Sequence, residues 1–297
     1  MIIGSSILEN GFEKIRLKNC LLYIHKNFRS SNFEQALLAG EEQLQACYRL
    51  TAIQSSKFAR VYKFVVRFDD VDKGVYFKRY LSRSVGDFIK HLVLAGRARR
   101  AFKAAGMLVE NGFDTPVIIA IGQFQSSFFN KEDFLVTLEV QNAKQIYQLI
   151  SESPGSSTDE QLRGKRKLIR EFGQTIGAMH ARGIFHGDLR LGNVLAKKEN
   201  SNWRFFFLDN ERTRKFRRLP ARLRLKNLVQ VNMFRSDAIT NTDRMRFFTD
   251  YLAENPLIDG RRNEWAKKII TKTSRRLKKK KNNFEVISWT MTNAICL

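Results

Sequence analysis

The chain has 297 residues, 43% of them hydrophobic, with only 4 Pro and 17 Gly, which excludes a disordered, collagen-like or low-complexity polypeptide. Its 53 Lys and Arg against 29 Asp and Glu leave a formal charge of +24, so the surface seeks phosphate on nucleic acid, anionic lipid or a phosphorylated substrate. Three cysteines (Cys20, Cys47, Cys296), odd in number and without metal-ligand spacing, exclude a disulfide framework or zinc site and point to a reducing compartment. The first ten residues lack a basic n-region and a sustained apolar core, and no stretch approaches the ~20 apolar residues that span a bilayer. The expectation is a cytoplasmic protein, soluble or peripheral on a membrane.

In chain order, 14–26 predicts one short strand over Leu21, Leu22, Tyr23 and Ile24, and 30–44 predicts a helix. Segments 48–53, 60–68 and 75–80 are rich in β-branched and aromatic residues and predict strands, with 69–74 as the hairpin turn between the last two. Residues 84–111 predict one long helix with Phe88, Leu92, Ala95, Phe102, Ala105 and Val109 on one side, closed by Gly112. Two further strands are expected at 117–121 and 134–140. The Ser/Pro/Gly stretch 151–159 reads as a loop, and 160–182 as a helix ending at Gly183. Short apolar runs at 193–196 and 205–208 precede mainly helical, basic sequence to about 281, and 282–297 gives no clear signal. Strands first and helices later predict an α+β protein with two unequal lobes.

The segment His186-Gly187-Asp188-Leu189-Arg190-Leu191-Gly192-Asn193, followed by Asp209, matches the kinase catalytic-loop pattern H-x-D-x-x-x-x-N with a later metal-binding Asp after a short apolar strand. A phosphoryl donor carries several negative charges, so its transfer needs a divalent metal on hard oxygen ligands, which Asn193 and Asp209 supply. Asp188 is left to orient the attacking hydroxyl and accept its proton, and Arg190 to neutralise charge on the transferred group. Lys78, inside the apolar strand Val75-Tyr76-Phe77-Lys78, is expected to contact the donor phosphates.

These residues give the chain a resemblance to the protein-kinase-like superfamily and, more narrowly, to the Kdo/WaaP lipopolysaccharide kinase family. It covers roughly 48–256 and is carried by 75–81, 97–102, the turn 112–116, 176–193, 207–214, 226–229 and 242–248. The resemblance implies a two-lobed protein-kinase-like fold. Its N-lobe (48–141) would be a small five-stranded antiparallel sheet with one long helix, and its C-lobe (142–281) mainly helical. Residues 1–47 are then an N-terminal extension and 282–297 a C-terminal tail. The implied activity is ATP-dependent phosphorylation of a heptose or Kdo hydroxyl in the lipopolysaccharide inner core, with ATP and Mg²⁺ as cofactors. The core glycolipid would be the acceptor, at the anionic inner face of the inner membrane, with no nucleic acid partner.

The sequence departs from the superfamily pattern at three places. No G-x-G-x-x-G joins the first two strands, so the turn Gln54-Ser55-Ser56-Lys57 would hold phosphate through Ser55, Ser56 and Lys57. The helical Glu expected to pair with Lys78 is absent from its place, leaving Asp87 or Glu110 as substitutes. Asp209 is followed by Asn-Glu rather than Phe-Gly, and then by what reads as a basic helix. Adenine would lie against Thr137-Leu138-Glu139-Val140.

Among the other features, His186 reads as a brace for the catalytic loop and His180 as a helix-end residue satisfied by backbone. His25 and His91 are isolated, and the three Trp read as packing groups. The run from Arg212 to Lys226 holds eight Lys/Arg, either a solvated helix face or a grip on an anionic glycolipid. Arg275–Lys281 reads as a hold on anionic lipid or a solubilising tail. Competing readings are a protein kinase of the same fold, or a non-catalytic basic module that binds RNA or anionic membrane.

Overall fold

The computed structural model describes residues 11–17, 19–81, 96–125, 131–152, 158–235 and 237–293. Most of the loop expected at 151–159, the helix expected over 84–95, Asp87, His91 and Cys296 lie outside the described residues. The chain divides into two compact units: the chain to Gln141 together with Asp209–Arg212, and Asn142–Leu208 together with the chain from Thr213.

The first unit is built on an antiparallel sheet of seven strands rather than five, in the order β1-β2-β6-β7-β5-β4-β3. The two additional strands come from the supposed N-terminal extension: β1 (Phe12–Leu17) and β2 (Cys20–His25), which pairs with β6 (Ile118–Gln125). β2 buries alternate residues Cys20, Leu22 and Ile24. β1 reads Phe-Glu-Lys-Ile-Arg-Leu, and its charges belong to an edge strand with one side open to water. The expected helix 30–44 is two helices, α1 (Ser31–Ala39) and α2 (Glu41–Cys47), because Gly40 breaks the run at φ +103°.

After β3 (Thr51–Ile53), β4 (Ala59–Phe68) and β5 (Val71–Tyr80) meet at a two-residue turn. Asp69 and Asp70 both take positive φ (46° and 61°), as a hairpin of this hand requires, so 71–74 belong to strand rather than turn. β7 (Lys131–Leu138) completes the sheet. One face packs Phe64, Val75, Phe77, Phe134 and Val136 against Phe33, Leu37 and Leu44 of the two short helices. The alternate residues Ile121 and Leu135 point the other way, onto Ala98, Ala101 and Phe102 of α3 (Arg97–Glu110). Leu108 is fully buried and Val109, expected inside, is 59% exposed: one residue of register turns a helix by about 100°.

The second unit opens with β8 (Lys144–Gln145), α4 (Ile146–Ser151) and α5 (Asp159–Ala181). Thr158 and Gln161 form a reciprocal cap at the start of α5, whose Leu168, Ile169, Phe172, Ile176 and Met179 recur at helical spacing and are buried. α5 packs on α7 (Asn241–Ala253) through Gly173 and Gly177, where an added Cβ would fall 2.5 Å from the carbonyl oxygen of Phe247 and 2.7 Å from that of Tyr251. β9 (Ile184–Phe185), β10 (Val194–Glu199), β11 (Asn202–Phe207) and β12 (Arg214–Lys215) precede α6 (Ala221–Asn232), α8 (Pro256–Asp259) and α9 (Arg262–Asn293). Residues 213–220 therefore do not pass straight into a basic helix, because β12 first pairs with β9. α9 continues past 281 to Asn293, burying Trp265, Ile269 and Thr273 while Arg275, Arg276, Lys278 and Lys279 stay exposed. Among the described residues no helix is long and apolar enough to cross a membrane.

Gly183 ends α5 at φ +76°, and a Cβ there would run into the carbonyl oxygen of Phe216, whose own N–H donates to Gly183 O at 2.9 Å. Gly183→Ala adds a left-handed residue and a backbone collision, together about 3 kcal/mol. The expected result is a melting temperature lower by roughly 5–10 °C.

Candidate active site

In the second unit the chain leaves α5, forms β9 and enters the segment 186–193. His186 is fully buried and holds this segment at both ring nitrogens. Its Nδ1 accepts from the Asp188 N–H (3.2 Å), so Nε2 carries the proton and donates to Leu208 O (3.0 Å). The brace expected of His186 is what the geometry provides. Asn193 turns its amide nitrogen back to Asp188 O (2.9 Å), so its amide oxygen takes no part in that bond. Asp188 Oδ1 receives Gln230 Nε2 (3.2 Å) and Arg190 Nε (2.9 Å). Arg190 is 72% exposed and lies on the carboxylate rather than on a separate anion.

Behind Asp188 runs a buried polar chain supplied by α5, α6 and α7. Arg224 donates to the Tyr251 hydroxyl (2.7 Å), which donates to His180 Nδ1 (3.0 Å), and His180 Nε2 donates to Asn227 Oδ1 (3.1 Å). Asn227 Nδ2 donates to Gln230 Oε1 (2.9 Å), and Gln230 completes the chain at Asp188. Every donor in it points toward the carboxylate, so each bond polarises the next. His180 is thus satisfied by side chains, not by backbone. Arg224, counted in the basic run, is buried against Tyr251 and Asn255 rather than solvated.

Burial first, and then the Arg224 charge, push His180 down to about 3, so it stays neutral as this chain requires. Its folded value lies below its unfolded one, so the stability it contributes is full above about pH 6.5 and is lost as pH falls toward 3. Between about pH 7 and pH 4.5 this histidine alone should remove about 2–3 kcal/mol. Denaturant titrations across that range should show a flatter profile for His180→Gln, which keeps one donor and one acceptor but does not titrate.

In the first unit Lys78, on β5, pairs with the Asp209 carboxylate. This answers the absence of a helical Glu: Glu110 lies exposed at the far end of α3, and Lys78 takes the carboxylate of Asp209 instead. Asp209 takes positive φ (56°) and is followed by a single 3-10 turn, Asn210–Arg212. Glu211 of that turn meets Arg97 of α3 in a two-pronged ion pair (3.0 and 3.2 Å). In the turn 54–57, Ser55 Oγ donates to Ala59 O (2.6 Å) and Ser56 Oγ accepts the Phe58 N–H (3.4 Å). Lys57 Nζ lies 5.1 Å from the centre of the Phe58 ring. Both hydroxyls are thus engaged in shaping their own loop. Glu139 forms an ion pair with Lys63 (2.6 Å), and its N–H donates to Gly74 O (2.8 Å).

The residues expected to ligate Mg²⁺ are of a type that suits it, each taken within its own unit. Among the described residues no cluster of three His, Cys, Asp or Glu could hold a metal by itself. Mg²⁺ asks for less, one or two carboxylate or carbonyl oxygens with phosphate and water completing the shell. The Asp209 carboxylate in the first unit and the Asn193 amide oxygen in the second are each donors of that chemical kind.

A sequence profile of the lipopolysaccharide kinase (Kdo/WaaP) family matches residues 46–251. The chain belongs to that family. As a Kdo/WaaP family member it is a phosphotransferase that uses ATP, of the lipopolysaccharide kinase type. A solved structure described as WaaP in complex with acyl carrier protein has the same fold, with a TM-score of 0.58 at 20% identity over 83% of this chain and 97% of that one. No curated protein sequence matches the chain.

Two pairings escape a reading of the sequence: Arg97 with Glu211 in the first unit, and Asn227 with Gln230 in the second. Arg224, Asn227 and Gln230 recur every three residues on α6 among buried Leu225, Leu228 and Val229, and that polar spacing was the available signal.

Proposed function

We propose that the protein transfers the γ-phosphoryl group of ATP, with Mg²⁺, to a hydroxyl of a heptose or Kdo residue in the lipopolysaccharide inner core. The observation that carries this reading is the Asp188 carboxylate held by Gln230 and Arg190 inside a loop braced by His186. Asp188 orients the acceptor hydroxyl and takes its proton as the new oxygen–phosphorus bond forms and the bond to the departing ADP breaks. Arg190, whose side chain is largely exposed beside Asp188, turns to the transferred group as negative charge spreads over it. Lys78 binds donor phosphate oxygens, releasing Asp209. Asn193 and Asp209 hold the metal, which when bound supplies charge neutralisation to the phosphates. In this reading 48–141 and 142–281 are the two lobes and 282–297 a C-terminal tail, with strands from residues 1–47 extending the sheet of the first.

The exposed basic face of α9 (Arg275, Arg276, Lys278, Lys279) supports peripheral attachment to an anionic membrane where the glycolipid acceptor resides, at about 1 kcal/mol per basic residue. An acyl carrier protein partner, present in the solved relative, also suits a chain of charge +24. The test is incubation with ATP, Mg²⁺ and dephosphorylated core glycolipid, followed by mass spectrometry. One added phosphate on an inner-core sugar is expected. An unchanged glycolipid beside phosphorylated protein would instead favour a protein acceptor.

A further inference from the structure

We propose that Arg97 and Glu211 are a positioning pair for Asp209, with the helix contributing the cation and the segment after Asp209 the anion. This rests on the kinase reading above. Arg97 is the first residue of α3 and is 9% exposed. Its Nε and Nη2 grip both oxygens of Glu211, and its Nη1 donates to Phe58 O (3.0 Å), so one guanidinium joins α3, the segment after Asp209 and the start of β4. The start of α3 is itself fixed. The Asp133 carboxylate accepts the Ala98 N–H (3.4 Å) and Gln123 Nε2 (2.8 Å), and it packs where a Cβ on Gly96 would stand.

The buried ring of Tyr80 links this pair to the other. Arg97 Cζ lies 4.6 Å from the ring centre and Lys78 Nζ 5.1 Å from it. Asp209, two residues before Glu211, accepts Lys78 and holds a left-handed backbone that a residue with a Cβ adopts reluctantly. A segment bent this way needs an anchor close by in sequence. The fork of Arg97 on Glu211, with both side chains only 11% exposed, is that anchor. Arg212 also faces Glu211, but at 3.8 Å and from a half-exposed position, so it adds little.

The test compares Arg97→Glu, Glu211→Arg, the double swap and Arg97→Lys. Two readouts apply: kcat on the glycolipid, and the Mg²⁺ concentration at which ATP raises the melting temperature. Supporting groups behind a metal ligand are worth ~10–100-fold, so each single reversal should lower kcat and raise the required Mg²⁺ by that factor with little change in acceptor KM. The double swap should recover both to within about fivefold, and Arg97→Lys, which keeps charge but not the fork, should fall between. Single reversals with wild-type Mg²⁺ dependence, or a double no better than the worse single, would overturn the proposal. If the wild type transfers nothing, the kinase reading falls, and the pair is still judged by the Mg²⁺-dependent ATP shift.

Discussion

Asp188→Ala should lower phosphoryl transfer by at least ~10³-fold while ATP still raises the melting temperature in the presence of Mg²⁺. A positioned proton acceptor is worth ~10²–10⁴-fold, and Asp188 also orients the hydroxyl it deprotonates. The substitution is gentle on the fold. The Asp188 side chain is 29% exposed and its partner Arg190 is 72% exposed, so both released groups regain water. Gln230 keeps its bond from Asn227. Asp188→Asn sharpens the experiment, since the amide oxygen still accepts from Gln230 but cannot take a proton. Both variants should be inactive with melting temperatures near wild type. Turnover within tenfold of wild type in either would remove Asp188 from the chemistry.

The segment 186–193 was legible in the sequence because its telling residues fall within eight consecutive positions, with types suited to phosphate and metal chemistry. The sheet was legible where strands are apolar on at least one face, as in β4, β5 and β7. It was illegible at β1, because an edge strand's charges suit its position in the fold and hide its period. Gly40 was also readable in principle, since a helix interior rarely carries Gly, yet the apolar residues on both sides favoured one long helix. The Arg97–Glu211 pair joins residues 114 apart, and nothing local marks either as a partner of the other. Exposed and buried arginines look alike in a string: Arg222 and Arg224 differ by two positions, and only the second faces Tyr251 and Asn255.

That difference between equal letters is sharpest at Asn227, and Asn227→Leu should be the most destabilising single change in the polar chain. The side chain is fully buried and makes four bonds. Its oxygen accepts the His186 N–H (3.2 Å) and His180 Nε2 (3.1 Å), and its nitrogen donates to His186 O and to Gln230 Oε1 (2.9 Å). Leucine keeps the same branched heavy-atom skeleton, with bulkier methyl groups, while four partner atoms, all on buried residues, lose their bonds. Each unsatisfied buried group costs ~1–3 kcal/mol; allowing for relaxation, about 4–6 kcal/mol in all is expected. For a chain of this size that lowers the melting temperature by roughly 10–20 °C. The protein that stays folded at low temperature should also be slower by about tenfold, because Gln230 loses the contact that aims it at Asp188. Gln230→Leu separates the two effects: it should reproduce most of the rate loss with a much smaller shift in melting temperature, since Asn227 keeps its bonds to both histidines. A melting temperature within about 3 °C of wild type for Asn227→Leu would mean that water replaces the amide, and that the chain from Arg224 to Asp188 is not what holds the catalytic loop.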